Sequence, residues 1–379
     1  MHESIRLGTV RGIAIGLNWS VLAVAGLIAY GLADGVLPEV APGYRPGAYW
    51  AVAIGAVLCF FASLLAHELG HSIVAQGQGV VVEGITLWLF GGVAKLRNEA
   101  HTHQAELKIA TAGPAVSVAL ALVFAGIALA ADTAGAPELT VEAFTWLALI
   151  NGMLAVFNLA PGAPLDGGRI LHALVWRSTH DRNRATRVST GAGRVFGYLL
   201  VGLGILMVLN GAIGGIWLAL VGWFVISAAR AEATHALLRG ALGGVRVRDV
   251  MSRDPHVVPE DQALSALLDD AFLRHHWSSF PVVNGIGDVT GLVTLRRVRH
   301  VAPGDRERLT AGDVAVPIDR CVIVAPDEAL IDALEQVGPD GGGDGRMLVF
   351  EGGHLVGIVS PTDVHRALRH VASFSRPAR

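Results

Sequence analysis

Over its first two-thirds this chain gathers its apolar residues into long unbroken blocks; after that they come in short runs separated by charges. A helix needs about 20 mostly apolar residues to cross a bilayer. Blocks at 19–33, 49–75, 106–131, 142–158, 194–209 and 213–229 approach or exceed that length and predict six spanning helices. The shorter ones require tilt or local bilayer thinning. Between the second and third blocks the pattern changes. Val80-Val81-Val82 and Ile85-Thr86-Leu87-Trp88-Leu89-Phe90 are strand formers, broken at Gly84 and Gly91-Gly92, and predict a hairpin or small sheet over 80–96. Unpaired strand edges are costly in lipid, so this segment has to be paired or to line a wet cavity.

Past residue 240 the chain repeats itself. Asp249-Val250 returns as Asp313-Val314, Ala263-Leu264 as Ala329-Leu330, and Gly291-Leu292-Val293-Thr294 as Gly357-Ile358-Val359-Ser360, at offsets of 64, 66 and 66. Each copy reads as a short strand, a helix, two strands and a final helix, with Pro281-Val282-Val283 and Met347-Leu348-Val349 as matching inner strands. The expected fold is a polytopic α-helical membrane domain with a membrane-associated β-hairpin, followed by an α/β pair. Its limits are 1–240, 241–305 and 306–379.

Charge sharpens this division. Of 61 charged residues, 27 lie in the first 240 positions and 34 in the last 139. Two cysteines, Cys59 and Cys321, exclude a disulfide framework and a cysteine-based zinc module. A net charge of −3 offers no basis for direct nucleic-acid binding. Arg6 and Arg11 precede the first block as they would in a signal peptide, but no clear small-residue cleavage site follows, so a retained helix is expected. Arg169, Arg177, Arg182, Arg184, Arg187 and Arg194 follow the fourth block, whereas the segment around Asp132, Glu138 and Glu142 has no basic residue. By the positive-inside rule the Arg-rich segment, both termini and the repeat pair face the cytoplasm.

The second apolar block ends in His67-Glu68-Leu69-Gly70-His71. Residues four apart share one helical face, so two imidazoles there can hold one zinc ion, with Glu68 beside them as general base toward a water. Ionisable groups in an apolar helix are expensive and usually functional. Gly70 reads equally as a helix-packing position or as room for substrate. A hydrolytic zinc site wants a third protein ligand and one open position. Asp166, in Asn158-Leu159-Ala160-Pro161-Gly162-Ala163-Pro164-Leu165-Asp166-Gly167-Gly168, is the candidate; taken alone it reads as a turn residue or an N-cap. Two prolines exclude regular helix through that stretch, and its glycines are expected to relax the backbone. His101 and His103 read as interfacial, and His275-His276 as surface.

The His-Glu-x-x-His helix followed two blocks later by Asn-x-x-Pro-x-x-Pro-x-Asp-Gly resembles the site-2 protease family of intramembrane zinc metalloproteases. The Gly-Gly hairpin and Gly12-Ile13-Ala14-Ile15-Gly16-Leu17-Asn18-Trp19-Ser20 are similar too, so the likeness covers roughly residues 6–230. It implies His67, His71 and Asp166 as zinc ligands, Glu68 as catalytic base, and Asn158 as a contact to the substrate backbone or the developing oxyanion. It also implies cleavage of single-span membrane proteins, such as a membrane-anchored transcription regulator, already trimmed outside the membrane. A helical substrate must unwind to expose a carbonyl, and the 80–96 hairpin offers strand addition to the extended segment.

The repeat resembles a tandem pair of CBS domains, which implies a regulatory pair, an adenosine nucleotide in the cleft, and a homodimer. The family's ribose pattern Ser/Thr-x-x-Asp is present as Ser360-Pro361-Thr362-Asp363; the first copy reads Thr294-Leu295-Arg296-Arg297, with Arg297 in place of the carboxylate and suited to a phosphate. Other readings are a catalytically inactive relative that binds partners and a CBS-regulated transporter. The transporter has no need of the paired histidine and aspartate motifs.

Overall fold

A computed structural model describes residues 5–89, 91–96, 100–268, 277–337 and 342–374; His275-His276 fall outside them. Two compact units result, Met1–Thr234 and His235–Arg379.

The first unit begins with an antiparallel hairpin, β1 (Ile5–Val10) and β2 (Ile13–Leu17), followed by helix α1 (Trp19–Tyr30). Asn18 caps α1, its side-chain oxygen accepting from the Ser20 amide at 3.0 Å. A π-helical stretch, Gly31–Val36, carries the chain into α2 (Leu37–Val40). Pro46, whose missing amide costs nothing at a first turn, opens α3 (Pro46–Gly77). Strands β3 (Val82–Trp88) and β4 (Gly91–Leu96) follow, then α4 (His103–Thr133), α5 (Glu138–Asn158), α6 (Asp166–Thr179), α7 (Arg182–Leu209) and α8 (Gly214–Leu242). Among the described residues six helical segments are long and apolar enough to cross a membrane: Trp19–Val40, Pro46–Gly77, His103–Thr133, Glu138–Asn158, Arg182–Leu209 and Gly214–Gly240. They cover the six apolar blocks, and most run several residues past them.

The hairpin expected at 80–96 is half of a four-stranded sheet in the order β1-β2-β3-β4. β2 runs parallel to β3 with Ala14 opposite Gly84 and Leu17 opposite Leu87, and β3 pairs antiparallel with β4. A Cβ at Gly84 would lie 2.9 Å from the Ala14 carbonyl oxygen, so the two strands meet where there is no side chain. Ile13, Val82, Ile85 and Leu87 from this sheet pack with Leu64 of α3 and Ile109 of α4. The sheet thereby roofs the half of α3 that carries the two histidines.

The Arg-rich segment is almost wholly helical. Arg169 and Arg177 lie on α6, and Arg182, Arg184, Arg187 and Arg194 on α7. The break between them is local: His180 takes a left-handed conformation (φ 57°) that ends α6, and Asp181 caps α7 by accepting from the Arg184 amide at 2.9 Å.

The second unit holds the two repeats. One sheet has the order β6-β7-β8-β9 (Val258–Pro259, Ser279–Val283, Val289–Thr294, Val316–Pro317), the other β10-β11-β12-β5 (Val322–Val324, Met347–Glu351, His354–Val359, Ser252–Arg253). The leading strands are exchanged. β5 precedes the first copy yet pairs with β12 of the second, and β9 opens the second copy yet pairs with β8 of the first. Leu292, Leu348 and Ile358 close a core shared by both sheets. Each copy completes the other, so the pair is one folding unit.

Candidate metal centre

His67 and His71 lie one turn apart on α3, with His67 only 2% exposed. Helix α4 crosses them. His71 Nδ1 lies 2.7 Å from the Ile109 carbonyl oxygen, which can only accept, so the ring hydrogen is on Nδ1 and Nε2 presents a lone pair. His67 Nδ1 lies 2.9 Å from Ser117 Oγ, and Ser117 is fully buried. Outer partners of this kind fix the orientation of metal-binding imidazoles. Pro114 supplies no amide for the Ala110 carbonyl, which loosens α4 at the turn that meets the histidines.

Asp166, the first residue of α6, comes in from the other side. Its Oδ2 stands 3.2 Å from His67 Nε2 and 3.2 Å from His71 Nε2, and the two Nε2 atoms are 3.2 Å apart. Bonds of about 2.0–2.1 Å in a tetrahedral zinc site put ligand atoms about 3.3 Å from one another. The triangle has that size. Its three atoms converge, and Asp166 Oδ2 is buried with no hydrogen-bond partner. Converging lone pairs repel unless a cation lies between them, so the residues present fit a zinc ion. This is the one group of three or more potential metal ligands among the described residues.

Two glycines make room for this arrangement. A methyl group at Gly113 would overlap His71 Nε2 and His67 Nε2, and one at Gly92 on β4 would overlap the Glu68 side chain. Glu68 is therefore pressed against the backbone of the edge strand, within electrostatic reach of His67, His71 and Asp166. Gly70 meets Ala112 and Val116 of α4, which makes it a packing position. The glycines after Asp166 serve close approach as well, rather than backbone freedom. They lie in the first turn of α6, where a Cβ on Gly167 would overlap the Leu159 and Ala160 carbonyls and one on Gly168 the backbone of Ala163. The irregular stretch before them is tied to α7 by the Ala163 amide, which donates to Ser189 O at 3.1 Å. Asn158 is the last residue of α5, half-buried, and its side chain bonds no other described residue. His101 is exposed, while His103 opens α4 and meets the Trp176 ring edge-on at 6.1 Å.

Sequence reasoning missed Ser117, Ile109 and Gly113, which lie far along the chain from the motif they support, and read Gly92 as a strand break rather than as the neighbour of Glu68. It also missed a feature of the repeat. In the second copy Asp363 is 6% exposed and accepts from the Ser360 amide (2.9 Å) and hydroxyl (2.6 Å), capping the helix Pro361–Phe374. In the first copy Thr294 Oγ1 donates to Asp344, from the other repeat, and Arg297 Nε is 3.9 Å from the same carboxylate. Asp344 thus supplies the carboxylate that Arg297 replaces.

Comparison with known proteins agrees with this anatomy. The chain matches peptidase family M50 over residues 55–137 and 127–202, and the CBS domain over 247–304 and 311–370. It is 42% identical to Rip3 of Mycobacterium tuberculosis over 369 residues, 97% of this chain and 93% of that one. A zinc metalloprotease of Methanocaldococcus jannaschii is 29% identical over 371 residues, 97% of each chain. Among solved structures, the site-2 protease from M. jannaschii aligns at 30% identity over 60% of this chain and 94% of that one, with a TM-score of 0.43. The chain belongs to peptidase family M50, the site-2 type of membrane zinc metalloproteases, and carries a C-terminal pair of CBS domains.

Proposed function

We propose that this protein is an intramembrane endopeptidase that cuts the transmembrane segments of single-span membrane proteins, a membrane-anchored transcription regulator being one such substrate. The observation that carries the proposal is the 3.2 Å triangle of His67, His71 and Asp166 at the end of a membrane-spanning helix, with Glu68 beside it. In this reading the three residues hold zinc. The chemistry supplied by a bound zinc ion is Lewis acidity toward a water and toward the scissile carbonyl.

Glu68 takes the proton of the attacking water and delivers it to the leaving amine. Its position against Gly92 sets it beside an edge strand, where an extended substrate segment can add to β4 through main-chain hydrogen bonds. That places the unwound part of the substrate next to the base. Asn158, whose side chain bonds no other described residue, is available to the substrate backbone or the developing oxyanion. The working limits are 1–240 for the protease domain, 241–305 and 306–379 for the two CBS copies. Both termini and the CBS pair face the cytoplasm, the pair joins two chains, and it regulates cleavage by binding an adenosine nucleotide with Ser360, Asp363 and Arg297.

The test compares the membrane proteomes of cells with active enzyme and with Glu68→Gln. Single-span proteins should accumulate full-length in the variant, and identical proteomes would refute the proposal.

A further inference from the structure

Two of the three ligand side chains share α3 and are oriented by α4; the third, Asp166, arrives on α6, a separate helix reached through an irregular stretch. The triangle is thus only as well set as the spacing of α6 against α4. One contact bears directly on that spacing. His172 of α6 places Nδ1 2.9 Å from Glu106 Oε2 on α4 and Nε2 3.2 Å from Thr186 Oγ1 on α7, with the His172 and Glu106 side chains 12% and 16% exposed.

The Glu106 carboxylate accepts from His172 Nδ1, and Nε2 meets the Thr186 hydroxyl, which also lies 3.1 Å from Arg182 O. The bond to the carboxylate is charge-assisted. Bonds of this charge-assisted kind are shorter and stronger than neutral ones. Glu232 of α8 lies within electrostatic reach of both members of the pair and of Arg169 of α6. One turn further along α6, Trp176 packs on His172 and His103 and takes the Arg182 guanidinium over its face at 4.7 Å.

Glu106 sits three residues before Ile109, which orients His71, and His172 six residues after Asp166. We infer that His172 is a positioning residue, whose hydrogen bonds to Glu106 and Thr186 hold α6 in register with α4 and α7 and so keep Asp166 in the metal triangle. This inference rests on the zinc reading of His67, His71 and Asp166. It adds that affinity for the metal is set in part by a histidine that never touches it.

The experiment measures zinc affinity of the purified full-length protein in detergent, by competition with a chromogenic chelator. The variants are His172→Ala, the milder Glu106→Gln, and Tyr49→Phe. The last breaks a buried hydrogen bond of comparable length (Tyr49 hydroxyl to Ala41 O, 2.7 Å) in a different cluster of the same unit. Removing outer supports of metal ligands typically costs about 10- to 100-fold in affinity. His172→Ala and Glu106→Gln are each expected to weaken zinc by about tenfold, the low end of that range, while Tyr49→Phe leaves it unchanged. Equal affinity in all four proteins would overturn the inference and leave the zinc reading standing, and so would a loss in Tyr49→Phe as large as in His172→Ala. Absence of zinc binding in the unaltered protein would instead remove the zinc reading.

Discussion

The membrane unit and the CBS pair each carry carboxylates singled out for ligands, yet the two regions treat them differently. Asp166 Oδ2 is buried without a hydrogen-bond partner and stands 3.2 Å from both His67 Nε2 and His71 Nε2. Asp363 is more buried still but already accepts from the Ser360 amide and hydroxyl, as one half of a capping box. Both stand in family motifs. What separates them is unmet demand: the first is an arrangement that makes little physical sense without a cation, while the second is complete as it stands. A buried group that lacks partners is a stronger pointer to a ligand than the motif in which it occurs.

The largest effect that sharpens this contrast is expected at the base. Glu68→Gln should retain zinc and lose about 10²- to 10⁴-fold in hydrolysis, measured on a detergent-solubilised single-span substrate. Substantial remaining activity would take Glu68 out of the mechanism. Next comes a pair of glycines on the same helix. Gly113→Ala drives a methyl group into both Nε2 atoms and should abolish zinc binding, whereas Gly126, with nothing within 4 Å, should accept alanine with no loss of metal. Equal zinc contents would mean that the close approach at Gly113 is unimportant.

Ser117→Ala should act more mildly, lowering zinc affinity by about 10- to 100-fold through loss of the His67 partner. The smallest change belongs to the other region. Asp363→Ala removes one half of a capping box and should cost the CBS pair about 0.3–1.5 kcal/mol of stability, read from denaturant unfolding. Calorimetry on the full-length protein with AMP, ADP and ATP then asks whether the cap has a second duty. Binding that disappears with Asp363→Ala would narrow the contrast between the two carboxylates; no heat with any nucleotide would leave the pair a docking or dimerisation module.

Much of this anatomy was legible in the chain. Apolar blocks marked the spans because bilayer thickness dictates length, and the i, i+4 histidines declared a shared face because helical geometry does. The repeat was visible from its offsets alone. Other parts left no local trace. Helix α6 begins in Asp166-Gly167-Gly168, after two prolines, where propensity argues against a helix and only close packing against Leu159, Ala160 and Ala163 explains the glycines. Ser117 and Ile109 are ordinary residues of an apolar helix until tertiary packing brings them to the imidazoles. The parallel pairing of β2 with β3 spans some 70 residues of sequence, and the exchanged strands β5 and β9 are two residues each, too short for any periodicity. Asp344, held in a left-handed conformation between Gly343 and Gly345, carries no sequence signal of its contact with the first repeat.

The central claim is that three residues from two helices, α3 and α6, form one zinc site. Zinc content per chain, measured by mass spectrometry on the purified protein and on Asp166→Ala, tests it most directly. One zinc ion is expected in the unaltered protein and a sharp loss in the variant. Full zinc in Asp166→Ala would contradict it.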